Sequence, residues 1–296
     1  MVTLREYLDG TTASEDVKDL IELIADQAAP IRAAFITNQA YAGTENVSGD
    51  DQVAMDVWAD RHLTEVIGAS GLVAELASEE QEGIVRFPKA RGTLGLVMDP
   101  LDGSSNVKVN LAVGTIVGVF DGSVLQPGER LKAAFYLLYG PMTTLTLSVG
   151  EGVQVFSLAD DGQYRLLHAD LRMPDDGKLY GSGGAKPTWT DAHCRFIESI
   201  EQDGGKLRYS GAFVADFHQI LTYGGVYCYP CVPGKEGKLR LLFEANPMGF
   251  LAHQAGGVCT DGERLLLEVQ PERVHQKVPI YIGSRSIICR VTSCCR

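Results

Sequence analysis

Long hydrophobic runs are missing from this 296-residue sequence. No apolar segment reaches the length of about 18 residues that a membrane-spanning helix requires, so we expect no integral membrane protein. The first ten residues, MVTLREYLDG, have neither the apolar core of a signal peptide nor the Arg- and Ser-rich character of a transit peptide. We therefore expect a cytoplasmic protein, although an organelle leader removed from a longer chain would leave no trace in this sequence.

Positive charge is also scarce. Lys and Arg number 26 against 38 Asp and Glu, which gives a net charge of −12 at neutral pH. Such a chain repels nucleic acids and acidic membranes, and no cluster of basic residues reverses this locally, so neither is an expected partner. A phosphorylated small molecule would be repelled as well, unless cations bound at the site reversed the local field.

Cysteine is absent from the first 193 residues, and the total of seven is odd. This distribution excludes a disulfide framework. Cys228 and Cys231 have the CxxC spacing of redox proteins, but they follow an apolar segment instead of opening a helix, so a redox role is a minor alternative. The hydrophobic content of 45% is sufficient for a large core, in one large domain or two moderate ones.

The most informative segment is DPLDGSSN, residues 99–106, which lies between the apolar runs 94–98 and 113–120. Pro100 favours an extended backbone at Asp99, and the sequence Asp102-Gly103 predicts a turn. Two carboxylates three residues apart on a rigid turn can both face one hard cation. The backbone N–H groups of residues 103–105 are suited to a phosphate. An ordinary polar hairpin turn is the alternative interpretation.

Hydrophobic spacing predicts the surrounding elements. Thr12 and Glu15 fit a capping box that opens an amphipathic helix, and a second helix carries Asp56 in its first turn. Alternating apolar residues over 94–158 predict an antiparallel sheet.

Strands and helices alternate in the C-terminal part, where residues 238–253 predict a helix interrupted at Pro247. The polar segment 160–177 separates the two patterns. We therefore predict an N-terminal phosphatase domain over residues 1–172 and a C-terminal, sugar-phosphate-binding α/β domain over residues 173–296.

Four motifs, in order, resemble those of the metal-dependent, lithium-sensitive sugar phosphatases, and specifically the class I fructose-1,6-bisphosphatase and sedoheptulose-1,7-bisphosphatase family. The matching segments are GDDQVAMD (49–56), ASEE (77–80), DPLDGSS (99–105) and KLRLLFEANPMGF (238–250). They are spread over most of the chain. The resemblance implies a layered α-β-α-β-α fold of the α+β or α/β class, with an antiparallel N-terminal sheet and a mixed C-terminal α/β part.

The resemblance also implies roles for single residues. Mg²⁺, with Mn²⁺ or Zn²⁺ as alternatives, would be bound by Glu79, Glu80, Asp99, the carbonyl of Leu101, Asp102 and Glu244. The attacking water would be oriented and deprotonated by Asp50, Asp56 and Glu80. The leaving phosphate would be held by Gly103, Ser104, Ser105 and Arg240, and the other phosphate and the sugar by Arg208, Tyr209, Tyr229 and Lys238. One arginine of the last set comes from a neighbouring subunit in the family, which implies a homodimer or homotetramer.

The choice of sugar depends on two positions. Gly183 and Lys186 stand where fructose-1,6-bisphosphatases typically have Asn and Tyr. The lost side chains would leave room, and Lys186 would add positive charge near the far phosphate, as in sedoheptulose-1,7-bisphosphatases. We therefore predict hydrolysis of the 1-phosphate of sedoheptulose 1,7-bisphosphate, which yields sedoheptulose 7-phosphate and phosphate. Fructose 1,6-bisphosphate, or both sugars, is the alternative.

Two alternative functions agree less well with the sequence. A non-catalytic sugar-phosphate sensor would have lost one of the acids, and all of them are present. An inositol-type monophosphatase acts on a substrate with one phosphate, so it would not need a second phosphate-binding site with basic residues such as Arg208 and Lys238.

Overall fold

Two mixed sheets, two short two-stranded sheets and the helices around them form the described part of the chain. The computed structural model describes residues 1–38, 41–45, 51–232, 234 and 236–294, with backbone alone for 41–45, 51–53 and 292–294. The α-helices are α1 Leu4–Asp9, α2 Glu15–Ala25, α3 Ala28–Ala34, α4 Ala54–Ser70, α5 Asp191–Gln202, α6 Phe213–Tyr223, α7 Asn246–Gln254 and α8 Arg285–Cys294. Within these described ranges, no helix is both long and apolar enough to cross a membrane.

The strands are β1 Tyr41–Glu45, β2 Asp51–Val53, β3 Val73–Ser78, β4 Val85–Arg86, β5 Leu94–Asp102, β6 Val113–Asp121, β7 Ala133–Tyr139, β8 Thr143–Ser148, β9 Gln154–Leu158, β10 Tyr164–His168, β11 Leu179–Ser182, β12 Lys206–Leu207, β13 Gly225–Tyr229, β14 Leu239–Arg240, β15 Val258–Thr260, β16 Lys277–Val278 and β17 Ile280–Gly283. Short 3₁₀ helices cover Ser104–Val109, Gly128–Arg130, Lys186–Thr188 and Leu266–Glu268, and a π-helix covers Leu241–Ala245.

The larger sheet has the strand order β10-β9-β8-β7-β6-β5-β3-β4. The predicted run of hairpins is confirmed, since each neighbouring pair from β5 to β10 is antiparallel. One pairing departs from this pattern: β3 lies parallel to β5, with Ser78 opposite Met98. As a result, the two strands end side by side, and Glu79 follows β3 at the same edge where β5 reaches Asp99.

The smaller sheet has the order β12-β11-β13-β17-β15 and is mixed, as expected for the C-terminal part. Its parallel pairs are β11 with β12 and β11 with β13, whereas β17 lies antiparallel to β13 and β15.

Three hydrophobic clusters confirm the expected α-β-α-β-α layering. Helices α1 to α4 cover one face of the large sheet, with Met98 on that face. Val97 points to the other face, where α6 and α7 pack between the two sheets. Alternation along β13 repeats this division, because Tyr227 belongs to the middle layer and Cys228 to the outer cluster with α5 and α8.

The first amphipathic helix begins differently from the prediction. Thr12 does not cap α2: its backbone N–H and its hydroxyl both donate to Glu151, at 3.0 and 2.5 Å. A capping box occurs instead at the start of α1, where Thr3 and Glu6 satisfy each other's backbone N–H groups. The predicted second helix with Asp56 in its first turn is confirmed as α4.

The prediction that Pro247 interrupts a helix is wrong. The segment begins as strand β14 and continues as the π-helix, and Pro247 lies in the first turn of α7. Proline is tolerated there because the first N–H groups of a helix have no partner within it.

Candidate active site

The turn after β5 is fixed by a glycine that no other residue could easily replace. Strand β5 continues through Pro100 to Asp102, and Gly103 then adopts a φ of +78°. A Cβ atom at Gly103 would lie 2.3 Å from the Cβ of Ala212. The backbone therefore turns directly against the residue that precedes α6, and the 3₁₀ helix Ser104–Val109 follows.

Three buried carboxylates meet beside this turn. One oxygen from each of Asp99, Asp102 and Glu244 lies within 4.8 Å of the others. Each carboxylate accepts at least one backbone N–H: Leu101 donates to Asp99 at 3.0 Å, Val214 to Asp102 at 2.6 Å, and Arg240 to Glu244 at 2.6 Å. Because these donors belong to different elements, the packing of the fold sets the orientation of the cluster.

Burial and mutual repulsion disfavour the charged forms of these three carboxyl groups. Burial is the main reason that the pKa of Asp99 lies well above its usual range, and the neighbouring carboxylates of Glu79, Asp102 and Glu244 raise it further. Burial likewise raises the pKa of Asp102 and of Glu244, and the charge of Glu79 adds to both shifts. Oxygen donors in such a like-charged group are the ligands that hard divalent cations prefer, so the residues fit the metal that the sequence predicts.

The remaining predicted acids surround the cluster. Glu79 is buried and pairs with Arg240, whose Nη2 lies 2.8 Å from Oε1 of the carboxylate. Asp56 accepts a hydrogen bond from the Ser104 hydroxyl at 3.0 Å, which links α4 to the turn. Glu80 lines the same cavity. The metal-binding and water-activating roles of these residues stay predictions.

All these side chains line one cavity of about 290 Å³. It gathers most of the predicted site residues: Asp56, Glu79, Glu80, Asp99, Leu101, Asp102, Gly103, Ser104, Ser105, Tyr209, Tyr229, Lys238, Arg240 and Glu244. Acidic and basic side chains from both halves of the chain thus line the same cavity.

Two predicted residues that the structure describes, Lys186 and Arg208, are not part of this lining. Asp50 lies outside the described residues. Lys186 is exposed in the 3₁₀ helix Lys186–Thr188, and Arg208 is exposed, with its Nη1 donating to the carbonyl of Leu207 at 2.9 Å. Their predicted roles are therefore not supported by the lining of this chain's own cavity.

Sequence reasoning missed four residues of the lining: Gly211, Phe213, Tyr227 and Leu239. Tyr227 is the most informative of them, since its ring is parallel to that of Tyr209 with centroids 6.3 Å apart. Residues two apart on a strand share a face, so the selection of Tyr229 could have been extended to Tyr227.

The fold and the cavity define a sugar phosphatase whose reaction centre is built from carboxylates. Two family models match the chain: "Fructose-1-6-bisphosphatase, N-terminal domain" over residues 13–169 and "Fructose-1-6-bisphosphatase, C-terminal domain" over residues 173–296. The chain belongs to the fructose-1,6-bisphosphatase family and is a sugar bisphosphatase. Members of this family generally depend on a metal.

Similar proteins agree with this assignment. The chain is 56% identical to the class 1 fructose-1,6-bisphosphatase of Methanocorpusculum labreanum, over 98% of this chain and 91% of the relative. It is 53% identical to that of Methanospirillum hungatei, over 98% of this chain and 94% of the relative. Among solved structures, the holo form of Leishmania major fructose-1,6-bisphosphatase superposes with a TM-score of 0.93 at 30% identity, covering 99% of this chain and 98% of that chain.

Proposed function

We propose that this enzyme hydrolyses the 1-phosphate of fructose 1,6-bisphosphate in a reaction that depends on Mg²⁺, with fructose 6-phosphate and phosphate as products. The observation that carries the proposal is the buried group Asp99, Asp102 and Glu244 in a cavity that also contains Lys238 and Arg240. The class 1 names of the two archaeal relatives support the six-carbon sugar.

The proposed mechanism assigns the cluster to metal binding. Asp99, Asp102 and Glu244 would hold the ion, and when bound it would neutralise phosphoryl oxygens and increase the acidity of a water. The backbone N–H groups at the start of the 3₁₀ helix Ser104–Val109 would bind the phosphate that leaves. Arg240 would add a positive charge there while its pairing with Glu79 keeps it in place.

Acidic residues at the edge of the cluster would orient and deprotonate the attacking water. The carboxylate of Asp56 is oriented by the hydroxyl of Ser104, one residue from the turn that would bind phosphate. Asp56 and Glu80 would accept the protons of the attacking water. Tyr209, Tyr229 and Lys238 would hold the sugar and its second phosphate, so that the 1-phosphate faces the acids.

The room expected at Gly183 does not open into the cavity. A Cβ atom at Gly183 would lie 2.2 Å from Cδ2 and Cε2 of Tyr229, so the aromatic ring already fills the space left by the missing side chain. Lys186, the second residue that favoured a seven-carbon sugar, is exposed. Both observations support the fructose alternative over the sedoheptulose substrate predicted from the sequence.

The test measures phosphate release from fructose 1,6-bisphosphate and sedoheptulose 1,7-bisphosphate side by side, with Mg²⁺ and with a chelator. We expect activity only with the ion and a higher kcat/KM for the six-carbon sugar. A kcat/KM at least tenfold higher for the seven-carbon sugar, about 1.4 kcal/mol of transition-state binding, would overturn the substrate assignment.

A further inference from the structure

Helix α4 presents a second acid one turn after Asp56. Residues four apart lie on the same face of a helix, so Asp60 follows Asp56 along the side that faces the site. Asp60 does not line the cavity. It is half-buried, and its carboxylate is directed at the turn between β3 and β4 that carries Glu79 and Glu80.

The carboxylate of Asp60 holds both residues that flank the Glu79–Glu80 pair. The hydroxyl of Ser78 donates to Oδ1 at 2.5 Å. The side-chain amide of Gln81 donates to Oδ1 at 3.2 Å and to Oδ2 at 3.0 Å, and it also donates to the Thr64 hydroxyl at 2.9 Å. One side chain thereby fixes the beginning and the end of the turn.

Two further contacts restrain the same turn from other directions. The backbone N–H of Glu79 donates to the carbonyl of Met98 on β5 at 3.1 Å. Nε2 of His275 lies 2.7 Å from the carbonyl of Gln81 and must be the donor, because a carbonyl only accepts. The large sheet and the C-terminal part therefore fix the backbone. Asp60 ties both flanking side chains to α4, and Thr64 on the same helix adds a second contact to Gln81.

We propose that Asp60 is a positioning residue, which sets the Glu79–Glu80 turn against Asp56 so that these acids converge on the metal and the water. The inference depends on the proposed function, because it assigns Asp60 to the same reaction. Groups that orient active-site ligands commonly change affinity or activity by about 10- to 100-fold when they are removed. The residues expected to hold the sugar belong to other elements, so the effect should fall on kcat and on metal binding and not on KM.

The decisive variants differ in hydrogen-bonding capacity. Asp60→Asn can accept from Ser78 and donate to Gln81 once the amide of Gln81 turns over, so we expect kcat within about threefold of wild type. Asp60→Leu removes the carboxylate that accepts from Ser78 and Gln81 and leaves Gln81 only its contact with Thr64. We expect kcat to fall about 10- to 100-fold with KM within about twofold.

A pair of compensating substitutions at positions 60 and 81 keeps the test informative if Asp60→Leu fails to fold. Gln81→Glu places a second carboxylate against Asp60, and we expect a loss of kcat similar to that of Asp60→Leu. In the double variant, Asp60→Asn supplies a donor to the new glutamate, so activity should return to within about fivefold of wild type. Failure of this rescue, or equal kcat values for the Leu and Asn variants, would overturn the proposal.

Two measurements separate this inference from the proposed function. Calorimetric titration with Mn²⁺ requires no turnover: we expect weaker binding in Asp60→Leu and unchanged binding in Asp60→Asn, even if the sugar has been assigned wrongly. Tyr164→Phe is the matched control, since it removes a buried hydrogen bond to the Ala25 carbonyl at the far edge of the large sheet. It should lower stability and leave kcat and Mn²⁺ binding unchanged. Unchanged Mn²⁺ binding in Asp60→Leu would contradict the positioning role.

Discussion

At the scale of single residues, backbone N–H groups orient the cluster of buried carboxylates. Asp99, Asp102 and Glu244 each receive at least one peptide N–H, and these donors come from the end of β5, from α6 and from the strand β14. A peptide N–H cannot change rotamer, so it orients a carboxylate more firmly than a mobile side chain would. The acids can therefore stay close together although their like charges repel.

We expect Asp99→Asn to separate stability from activity. The asparagine keeps an oxygen for the N–H of Leu101 and removes one negative charge from the cluster. Without metal, its melting temperature should equal or exceed that of wild type. Added Mg²⁺ should stabilise it less, because a ligand that binds more weakly stabilises the folded state less at the same concentration. Phosphate release should fall by more than about 100-fold. Thermal melts with chelator and with Mg²⁺ test this, and equal stabilisation of both proteins by Mg²⁺ would contradict it.

Two glycines with similar backbone angles provide a matched comparison. Gly103 and Gly122 have φ values of +78° and +81°, but a Cβ atom would meet Ala212 at the first position and nothing within 4 Å at the second. Gly122→Ala should lower the free energy of unfolding by about 1 kcal/mol, from backbone strain alone. Gly103→Ala should lower the free energy of unfolding by about 2 kcal/mol more than Gly122→Ala, since the turn must move away from Ala212. The same movement should lower kcat. Urea unfolding measures both costs, and equal losses would rule out the packing contribution.

At the scale of elements, sequence patterns predicted most helices and strands because amphipathic spacing is a local signal. The hairpins of the large sheet, α4 and α6 follow directly from that spacing. The parallel pairing of β3 with β5 had no such signal, since it joins strands separated by β4, and yet it brings Glu79 beside Asp99. The acids of the site could be predicted through their motifs, whereas their convergence depends on non-local pairing.

The structure of the segment that carries Glu244 could not be predicted from the sequence either. Pro247 suggested an interrupted helix, but the chain forms the π-helix Leu241–Ala245 before α7 begins. A π-helix shifts the side chains that follow it around the axis, and such segments are frequent at functional sites. Sequence periodicity near 3.6 residues per turn cannot reveal this geometry.

Helix caps provide a prediction at this scale. Thr190 precedes α5, and its side chain accepts the N–H of His193 at 3.2 Å. Ser14 precedes α2 but makes no side-chain cap bond within the described part of the chain. We expect Thr190→Ala to lower the free energy of unfolding by about 1 kcal/mol and Ser14→Ala to change it by a few tenths at most. Chemical denaturation of the two variants tests this, and a larger cost at Ser14 would be the contrary result.

At the scale of the whole molecule, a half-buried histidine between the two sheets predicts sensitivity to acid. His218 on α6 lies against the Tyr136 hydroxyl, with its Nδ1 at 2.7 Å. Burial lowers the pKa of His218 from 6.5 to about 4, and the charge of His168 contributes in the same direction. Between these values the unfolded chain binds a proton that the folded chain does not, so the free energy of unfolding decreases as the pH falls through this window.

His218→Gln isolates this contribution. The variant can keep a polar contact with Tyr136 and does not titrate. Between about pH 7 and pH 5, wild type should lose about 2 kcal/mol more stability than the variant. Carboxyl groups with raised pKa values, such as Asp102 and Glu244, increase the stability of both proteins as the pH falls. The prediction therefore concerns the difference in free energy of unfolding between wild type and the variant. Parallel stability curves for the two proteins would contradict the prediction.

The exposed position of Arg208 leads to a prediction about assembly. Its neighbour Tyr209 lines the cavity, whereas Arg208 points away from it and is exposed. We propose that the enzyme is a homodimer or homotetramer in which Arg208 binds the second phosphate in an adjacent subunit. Light scattering should then give two or four times the chain mass of 32.0 kDa, and the mass of a single chain would contradict the proposal. Arg208→Ala should raise KM about 10-fold with little change in kcat, as expected for the loss of a hydrogen bond to a charged group.

Mixed subunits decide where Arg208 acts. Asp99→Asn subunits lack activity but retain Arg208, and Arg208→Ala subunits retain an intact metal cluster. If the arginine crosses the interface, hybrids of the two contain sites with both features, and co-expression should return KM to the wild-type value at reduced kcat. Co-expression of Asp99→Asn with wild type is the control, and it should lower kcat without changing KM. A mixture that keeps the high KM of Arg208→Ala would place the arginine in its own subunit, since no exchange of partners could then restore the phosphate contact.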